Sequence, residues 1–297
     1  MNGAAAPTIR VEAPPKINLS LRVLGRRQDG YHQIESLVAF APGIGDWIQL
    51  SPGPDPVIEV TGPYAHRIVG TNILERVLTK LRTIAPAIDL GTVRLVKNLP
   101  VASGIGGGSS DAAALLNAII RANPASMHDV DWHRLALELG ADVPVCLSSR
   151  AAFMTGIGDV VRPLPRFPSV PAVLVVPDIA VPPDKTAQVF RRLAAPSLPE
   201  DYSAAPPDPP QLPSVDTVID HVRRLRNDLL APALSLFPEI APVQDALSAT
   251  SGCRVVRLSG AGPTSFALYG DFAAAKAAAQ AIDDTHPDWW VAAAELA

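Results

Sequence analysis

The chain alternates between two hydrophobic periods. Near its start, Thr8–Val11, and then Leu19, Leu21 and Val23, carry apolar residues at every second position. That spacing predicts two strands, interrupted by Pro14-Pro15. Trp47–Leu50 and Val57–Thr61 predict two more, joined by a Pro/Gly turn over Ser51–Pro56. The period then changes. Ile73, Leu74, Val77, Leu78 and Leu81 share one face of a helix over Thr71–Leu81. Thr71 or Asn72 suits its N-cap, and Glu75 stands where a capping box would need it. Thr92–Lys97 returns to strand spacing, and Ala112–Ile120, rich in Ala and Leu with no breaker, predicts a helix. Trp132, Leu135, Ala136 and Leu139 mark a short helix closed by Gly140.

The second half repeats this mixture. Gly156-Ile157-Gly158 reads as a turn, and the apolar run Ala172–Val176 as a strand. Pro196–Pro213 holds seven prolines in eighteen residues, which excludes a helix or a central strand and predicts a flexible surface excursion. Arg254–Leu258 and Ser265–Tyr269 read as two strands, followed by an Ala-rich helix over Asp271–Ile282 with Asp271 as N-cap. No internal repeat is present.

At 297 residues the chain suits two modest domains or one large one, and 48% hydrophobic residues allow a substantial core. The net charge of −4 argues against a general nucleic-acid binder. Cys146 and Cys253 are too few for a disulfide framework or a cysteine zinc site, and buried thiols are expected. Neither a signal pattern nor a membrane-length apolar run occurs, so the expected address is the cytoplasm.

Between the strand ending at Lys97 and the helix beginning at Ala112 lies Asn-Leu-Pro-Val-Ala-Ser-Gly-Ile-Gly-Gly-Gly-Ser-Ser-Asp, residues 98–111. Four glycines (Gly104, Gly106, Gly107, Gly108) and three serines (Ser103, Ser109, Ser110) fall within eight positions. A strand, a glycine loop and a helix in that order form an anion site, because unpaired N–H groups and the helix dipole favour negative charge. A plain tight turn would need only one or two glycines. A Walker A loop would need a Gly-Lys pair, which the chain lacks. A dinucleotide fingerprint would need a third glycine where Ser109 stands.

The stretch from Pro100 through Gly104-Ile105-Gly106-Gly107-Gly108-Ser109-Ser110 resembles the second motif of the GHMP kinases. Its triple glycine and Ser-Ser-Asp-Ala-Ala ending look most like the branch that phosphorylates a diphosphocytidyl methylerythritol, although Ser103 replaces a usual glycine. Other stretches resemble the same branch. Ala13-Pro14-Pro15-Lys16-Ile17-Asn18-Leu19 is similar to the first motif, and Leu258–Thr264 to the third, with Ser259, Gly260 and Gly262. Gly25–His32 is similar to the branch's cytosine-reading stretch, and Leu139–Pro144, a separate stretch, matches the branch almost letter for letter.

Read from residues alone, Lys16 is a solvated edge lysine, Asn72 a cap, Asp142 a turn former and Phe190 helix core. The resemblance implies more. The fold would be α+β, in two domains with the site in the cleft between them, here 1–167 and 168–297, the second carrying the excursion 196–213. ATP and Mg²⁺ would be required. Lys16 and Asp142 would be catalytic, Asp142 as the base that also touches the acceptor. ATP would meet Asn72, Lys97, Pro100 and residues 103–110: Ser103, Gly104, Ile105, Gly106, Gly107, Gly108, Ser109 and Ser110. Ser110 is also the candidate metal ligand. Asn18, Tyr31, His32, Thr186 and Phe190 would bind the acceptor, with Pro182–Lys185 as extra residues before Thr186. Neither nucleic acid nor membrane is an expected partner. The alternatives are a GHMP kinase for another small alcohol, which would lack Tyr31-His32, a silent nucleotide-binding protein, which would have lost Lys16 or Asp142, and a dehydrogenase with an aberrant loop.

Overall fold

The computed structural model describes residues 7–297 except 54, 127, 203, 204 and 206. Contacts group the chain into two compact units that interleave in sequence. The first comprises residues up to 15, 43–101 and 106–149; the second comprises 16–42, 102–105 and 150–297.

The first unit holds a four-stranded sheet of β1 (Ile9–Ala13), β5 (Asp46–Ser51), β7 (Thr92–Val96) and β6 (Val57–Thr61), in the order β1-β5-β7-β6. β6 runs parallel to β7 and the other pairs are antiparallel. Val93 and Leu95 are fully buried while Arg94 between them is exposed, as the two-residue period requires. The helix α2 (Gly107–Ala122) packs on β1 and β5 and against α1 (Ile73–Ile84) and α4 (Val143–Ser148). The short α3 (Trp132–Leu139) ends at Gly140, as its stripe predicts. Asn72 caps α1 by accepting from Leu74 N at 3.0 Å.

The second unit has two sheets. One runs β2 (Lys16–Asn18), β4 (His32–Phe40), β8 (Ala152–Gly156), β9 (Val160–Pro163), with β3 (Arg22–Arg26) also on β4. The single strand expected over Leu19–Val23 is instead the junction of two strands, for β2 ends at Asn18 and β3 begins at Arg22. β2 pairs with the end of β4 and β3 with its beginning. Between them Leu19 N and Ser20 N both bond to Leu37 O, and Leu21 N turns to Arg226 O. The apolar alternation continues through this change of partner, which is why it reads as one strand.

The other sheet is β11 (Val255–Leu258), β12 (Ser265–Leu268), β10 (Val170–Val176), β13 (Trp290–Leu296). Val173, Val175, Ala267 and Tyr269 pack there against α8 (Ile240–Ala249) and α9 (Phe272–Thr285). Asp271 caps α9 through Ala274 N. A second core joins Val189 of α5 (Lys185–Leu193) to Leu229, Ala233 of α7 (Leu230–Leu236) and Ile240. α6 (Val215–Arg224) starts on a capping box of Ser214 and Thr217.

The described part of the excursion 196–213 contains neither helix nor strand element, yet it is tied down. Ser197 forms a parallel bridge to Arg26, Leu212 is buried, and Arg162 Nη1 donates to Pro207 O at 3.2 Å. Cys146 and Cys253 are both free thiols, the first buried and the second half-buried. Among the described residues no helix is long and apolar enough to cross a membrane.

Candidate active site

The glycine loop is built by capturing its carbonyls. Four consecutive carbonyls each accept a hydrogen bond: Ala102 O from Lys185 Nζ (3.0 Å), Ser103 O from Thr264 N (3.1 Å) and Thr264 Oγ1 (2.7 Å), Gly104 O from Ser259 Oγ (3.1 Å), and Ile105 O from Lys16 N (2.8 Å). Among the described residues, the backbone N–H groups of 104–109 have no acceptor. A loop with its carbonyls bound and its N–H groups unpaired is an anion cradle.

α2 begins at Gly107, five residues before the expected Ala112, with Gly106 as N-cap at φ 65°. Gly107, Gly108, Ser109 and Ser110 thus form the first helical turn; the N–H groups of the first three lack helical partners by construction, and Ser110 N donates to Gly106 O at 2.9 Å. Glycine is required at 104, where φ is 87° and a Cβ would press on the Gly262 carbonyl.

The first and third motifs meet in the second unit. Lys16, 3% exposed, donates from Nζ to Asn18 Oδ1 at 3.1 Å. Asn18 Nδ2 donates to Ser36 Oγ (2.8 Å), which donates to Ser20 O (2.7 Å). Asn18 N donates to Ser259 Oγ at 3.2 Å. Asn227 holds the third motif from behind, its Nδ2 donating to Leu258 O and Gly260 O at 2.9 and 2.7 Å.

His32 and Phe190 come from β4 and α5, and their rings stack with centroids 4.7 Å apart and planes 28° apart. Phe190 also packs on the core around Val189 and Leu229, so its helix-core reading and its contact with His32 both hold. Burial, with the nearby Arg26 charge second, lowers the His32 pKa below the usual imidazole value. Tyr31 is 57% exposed, and its N–H donates to Asp29 Oδ1 in the preceding turn. Thr186 lies exposed in the first turn of α5.

In the first unit, Lys97 Nζ contacts Asp46 Oδ2 and Asp111 Oδ2 at 2.6 Å each, all three being buried. Asp46 Oδ1 accepts from Asn98 N and Leu99 N. Burial opposes charge on Lys97, but the two carboxylates outweigh it and hold the ammonium charged. One ammonium cannot balance two buried carboxylates. Burial, with Asp46 adding to it, pushes Asp111 up to about 8, so Asp111 keeps a proton at neutral pH. A Cβ on Gly107 would sit 3.3 Å from Lys97 Nζ, which places this cluster directly beneath the helix start.

Ser110 is 1% exposed and its hydroxyl donates to Pro14 O at 2.7 Å, so it braces the helix start from within. While it donates there, the hydroxyl oxygen keeps its lone pairs. Asn72 keeps Nδ2 buried without an acceptor among the described residues, a donor left over from capping. Asp142 stands at the N-cap position of α4, half-buried, and makes no capping hydrogen bond. Pro100 is half-buried at the entry to the loop.

Two family models match the chain: the GHMP kinases N-terminal domain over residues 72–150 and the GHMP kinases C-terminal domain over 214–288. A protein of Paramagnetospirillum magneticum named 4-diphosphocytidyl-2-C-methyl-D-erythritol kinase is 42% identical over 96% of this chain and 98% of its own length. One of the same name from Methylobacterium radiotolerans is 46% identical over 94% and 96%. The chain belongs to the GHMP kinase family. A crystal structure of a 4-(cytidine 5'-diphospho)-2C-methyl-D-erythritol kinase covers 97% of this GHMP kinase and 99% of its own chain, with a TM-score of 0.73 and 34% identity. A homoserine kinase from Cytophaga hutchinsonii shares the fold, with a TM-score of 0.69 at 19% identity.

Several residues of this GHMP kinase's site are invisible to motif reading. Asp46 lies far in sequence from the groups it holds, Lys97, Asn98 and Leu99. Lys185 counts only as an extra residue before Thr186. Asp111 was legible as part of the Ser-Ser-Asp ending, but its partnership with Lys97 was not.

Proposed function

We propose that this GHMP kinase transfers the γ-phosphoryl group of ATP to the 2-hydroxyl of 4-diphosphocytidyl-2-C-methyl-D-erythritol, giving the 2-phosphate and ADP in non-mevalonate isoprenoid precursor synthesis. The observation that carries the choice of acceptor is the stack of His32 on Phe190. A flat aromatic surface next to a neutral imidazole, which has one donor and one acceptor nitrogen, suits a pyrimidine base. Tyr31, exposed beside it, adds a second aromatic face. Thr186 contributes a hydroxyl on the same helix as Phe190.

Phosphoryl transfer needs alignment and charge neutralisation more than covalent chemistry. In this reading the N–H groups of 104–109 hold the phosphates, with Ser103 and Ser109 at either side and Asn72 Nδ2 as a nucleotide contact. Lys97 acts from beneath, through Asp46 and Asp111, by fixing the helix start. Asp142 accepts the proton of the acceptor hydroxyl. Lys16 and Asn18 orient that hydroxyl, and Lys16 offsets the charge that develops there. Ser259, Gly260 and Gly262 keep the loop closed. Among the described residues no cluster of three His, Cys, Asp or Glu could hold a metal. Mg²⁺ would be held chiefly by phosphate oxygens and water, with Ser110 as the candidate protein ligand. When bound, the ion would neutralise phosphate charge. The division of the chain into 1–167 and 168–297 belongs to the same reading.

Competition tests the acceptor. Free CDP should inhibit turnover while UDP does so much more weakly, because cytosine offers an amino donor where uracil offers a carbonyl. Equal inhibition by both, or by neither, would leave a GHMP kinase for another alcohol.

A further inference from the structure

Lys185 is the first residue of α5, 4% exposed, and it faces three costs. It is buried, it lies at the positive end of a helix, and no carboxylate pairs with it among the described residues. Its ammonium instead donates to Ala102 O at 3.0 Å and to Gly262 O. Ala102 is itself held at φ 58°, a left-handed conformation that costs a residue with a Cβ, and this directs its carbonyl. A buried cation kept at such cost, on a loop whose neighbouring N–H groups lack acceptors, is arranged to be balanced by an anion.

We propose that Lys185 is a positioning residue for the nucleotide: its ammonium ties the glycine loop at Ala102 to the third motif at Gly262 and supplies the loop with a positive charge that the polyphosphate of ATP balances. The proposal rests on the reading of 103–110 as the phosphate loop. It goes beyond the expected site residues, among which the lysines are Lys16 and Lys97.

The surroundings make the charge responsive. The loop 102–105 and the hairpin 259–264, which hold this end of α5, carry no ionisable side chain, and neither does α7, which packs on the same helix. On its own helix Lys185 is preceded by Asp184, which is exposed and bonded to Gln188 and Arg191. Burial alone lowers the Lys185 pKa to about 8. A bound polyanion favours the charged form, so nucleotide binding is linked to proton uptake at this group.

The test is calorimetric titration of wild type, Lys185→Met and Lys185→Arg with MgATP, between pH 7 and pH 9, in buffers of different ionisation enthalpy. Wild type should take up protons on binding near pH 8 and lose affinity as pH rises through that range. Lys185→Met should bind about tenfold more weakly or worse at pH 7, the loss typical of charge-assisted hydrogen bonds, and take up none of these protons. Lys185→Arg, whose charge does not titrate, should regain part of the affinity and bind independently of pH. Should the Met variant fail to fold, wild type against Lys185→Arg decides alone. Equal affinity and equal proton uptake in wild type and variants would overturn the proposal while leaving the kinase reading intact. If wild type bound no MgATP at all, both would fall.

Discussion

His32 and Phe190 are 158 positions apart in sequence and stack at 4.7 Å in the fold, one at the start of β4 and the other on α5. Each alone has an ordinary structural explanation. Together they present an aromatic wall with a polar edge.

Removing that wall should harm acceptor binding only. Stacking on a base is worth about 1–3 kcal/mol, so Phe190→Ala should raise the KM for the diphosphocytidyl acceptor by about 5- to 150-fold. MgATP affinity should stay within about twofold, that is within RT ln 2 of the wild type. Steady-state kinetics with each substrate varied in turn would show it. A parallel rise in both KM values would mean that Phe190 supports the fold rather than the base.

The depressed pKa of His32 sets a pH dependence. The folded state disfavours the imidazolium, so the neutral form dominates above the ordinary imidazole pKa of about 6.5. Stability from this group is present above that value and is lost as pH falls through the folded pKa. Acceptor affinity should therefore be flat from pH 7 upward and fall on acidification. NMR titration of His32 with and without CDP would reveal a further downward shift on binding; an upward shift would mean that the charged form reads the base.

The charged cluster beneath the helix start makes an asymmetric prediction. Lys97→Met leaves the buried Asp46 carboxylate, with the Asp111 carboxyl beside it, without a cation and should cost about 3–5 kcal/mol. Asp111→Asn mimics the protonated form already present and should cost less than about 1 kcal/mol. The sign with pH follows from the raised Asp111 pKa of about 8. The folded state holds a proton that the unfolded chain releases at lower pH, so stability is lost as pH rises toward that value. The melting temperature of Asp111→Asn relative to wild type should thus climb between pH 5 and pH 8. A constant difference would place the proton elsewhere.

Two adjacent glycines separate loop chemistry from packing. A Cβ at Gly108 meets nothing within 4 Å, whereas one at Gly107 comes 3.3 Å from Lys97 Nζ. Gly108→Ala should keep or slightly raise the melting temperature, since Ala favours helix by about 1 kcal/mol over Gly. It should still weaken MgATP, because the methyl occupies the face from which phosphate approaches. Gly107→Ala should lower the melting temperature as well. Unchanged nucleotide affinity in Gly108→Ala would move the phosphates away from this turn.

The pattern of apolar positions placed β1, β5, β6, β7, β10–β12, α1–α3 and α9 but left β4, β8, β9, α4 and α6–α8 unread, and the reasons for its failures are physical. β13 was not legible because Trp-Val-Ala-Ala-Ala-Glu-Leu gives little contrast between its faces; small residues pack on either. α2 starts at Gly107 because a glycine turn can be helical once Gly106 takes a left-handed cap, although glycine's propensity argues otherwise. In the site, contiguous motifs were legible: the loop, Lys16-Ile17-Asn18, and Ser259-Gly260-Ala261-Gly262. Partnerships across long separations were not. Asp46 with Lys97, Asn227 with Gly260 and Lys185 with Ala102 exist only once the chain has folded. The bond from the Ser110 hydroxyl to Pro14 O is another such partnership.

Asp142 should be separable from the fold. Asp142→Asn nearly conserves shape and removes the proton acceptor, so kcat should fall by about 10²-fold or more with MgATP affinity little changed. Near-normal turnover would take Asp142 out of the chemistry.

The central claim is phosphoryl transfer from ATP to an alcohol that carries a cytidine diphosphate. Its most direct test is ADP release by the purified protein with a panel of alcohols: methylerythritol diphosphocytidylate, its uridine counterpart, methylerythritol alone, mevalonate, homoserine and galactose. Rapid ADP release with the diphosphocytidyl alcohol, and at most a trace with the others, is the predicted result. Turnover that is equal with and without the cytidine diphosphate group, or faster with mevalonate, homoserine or galactose, would contradict it.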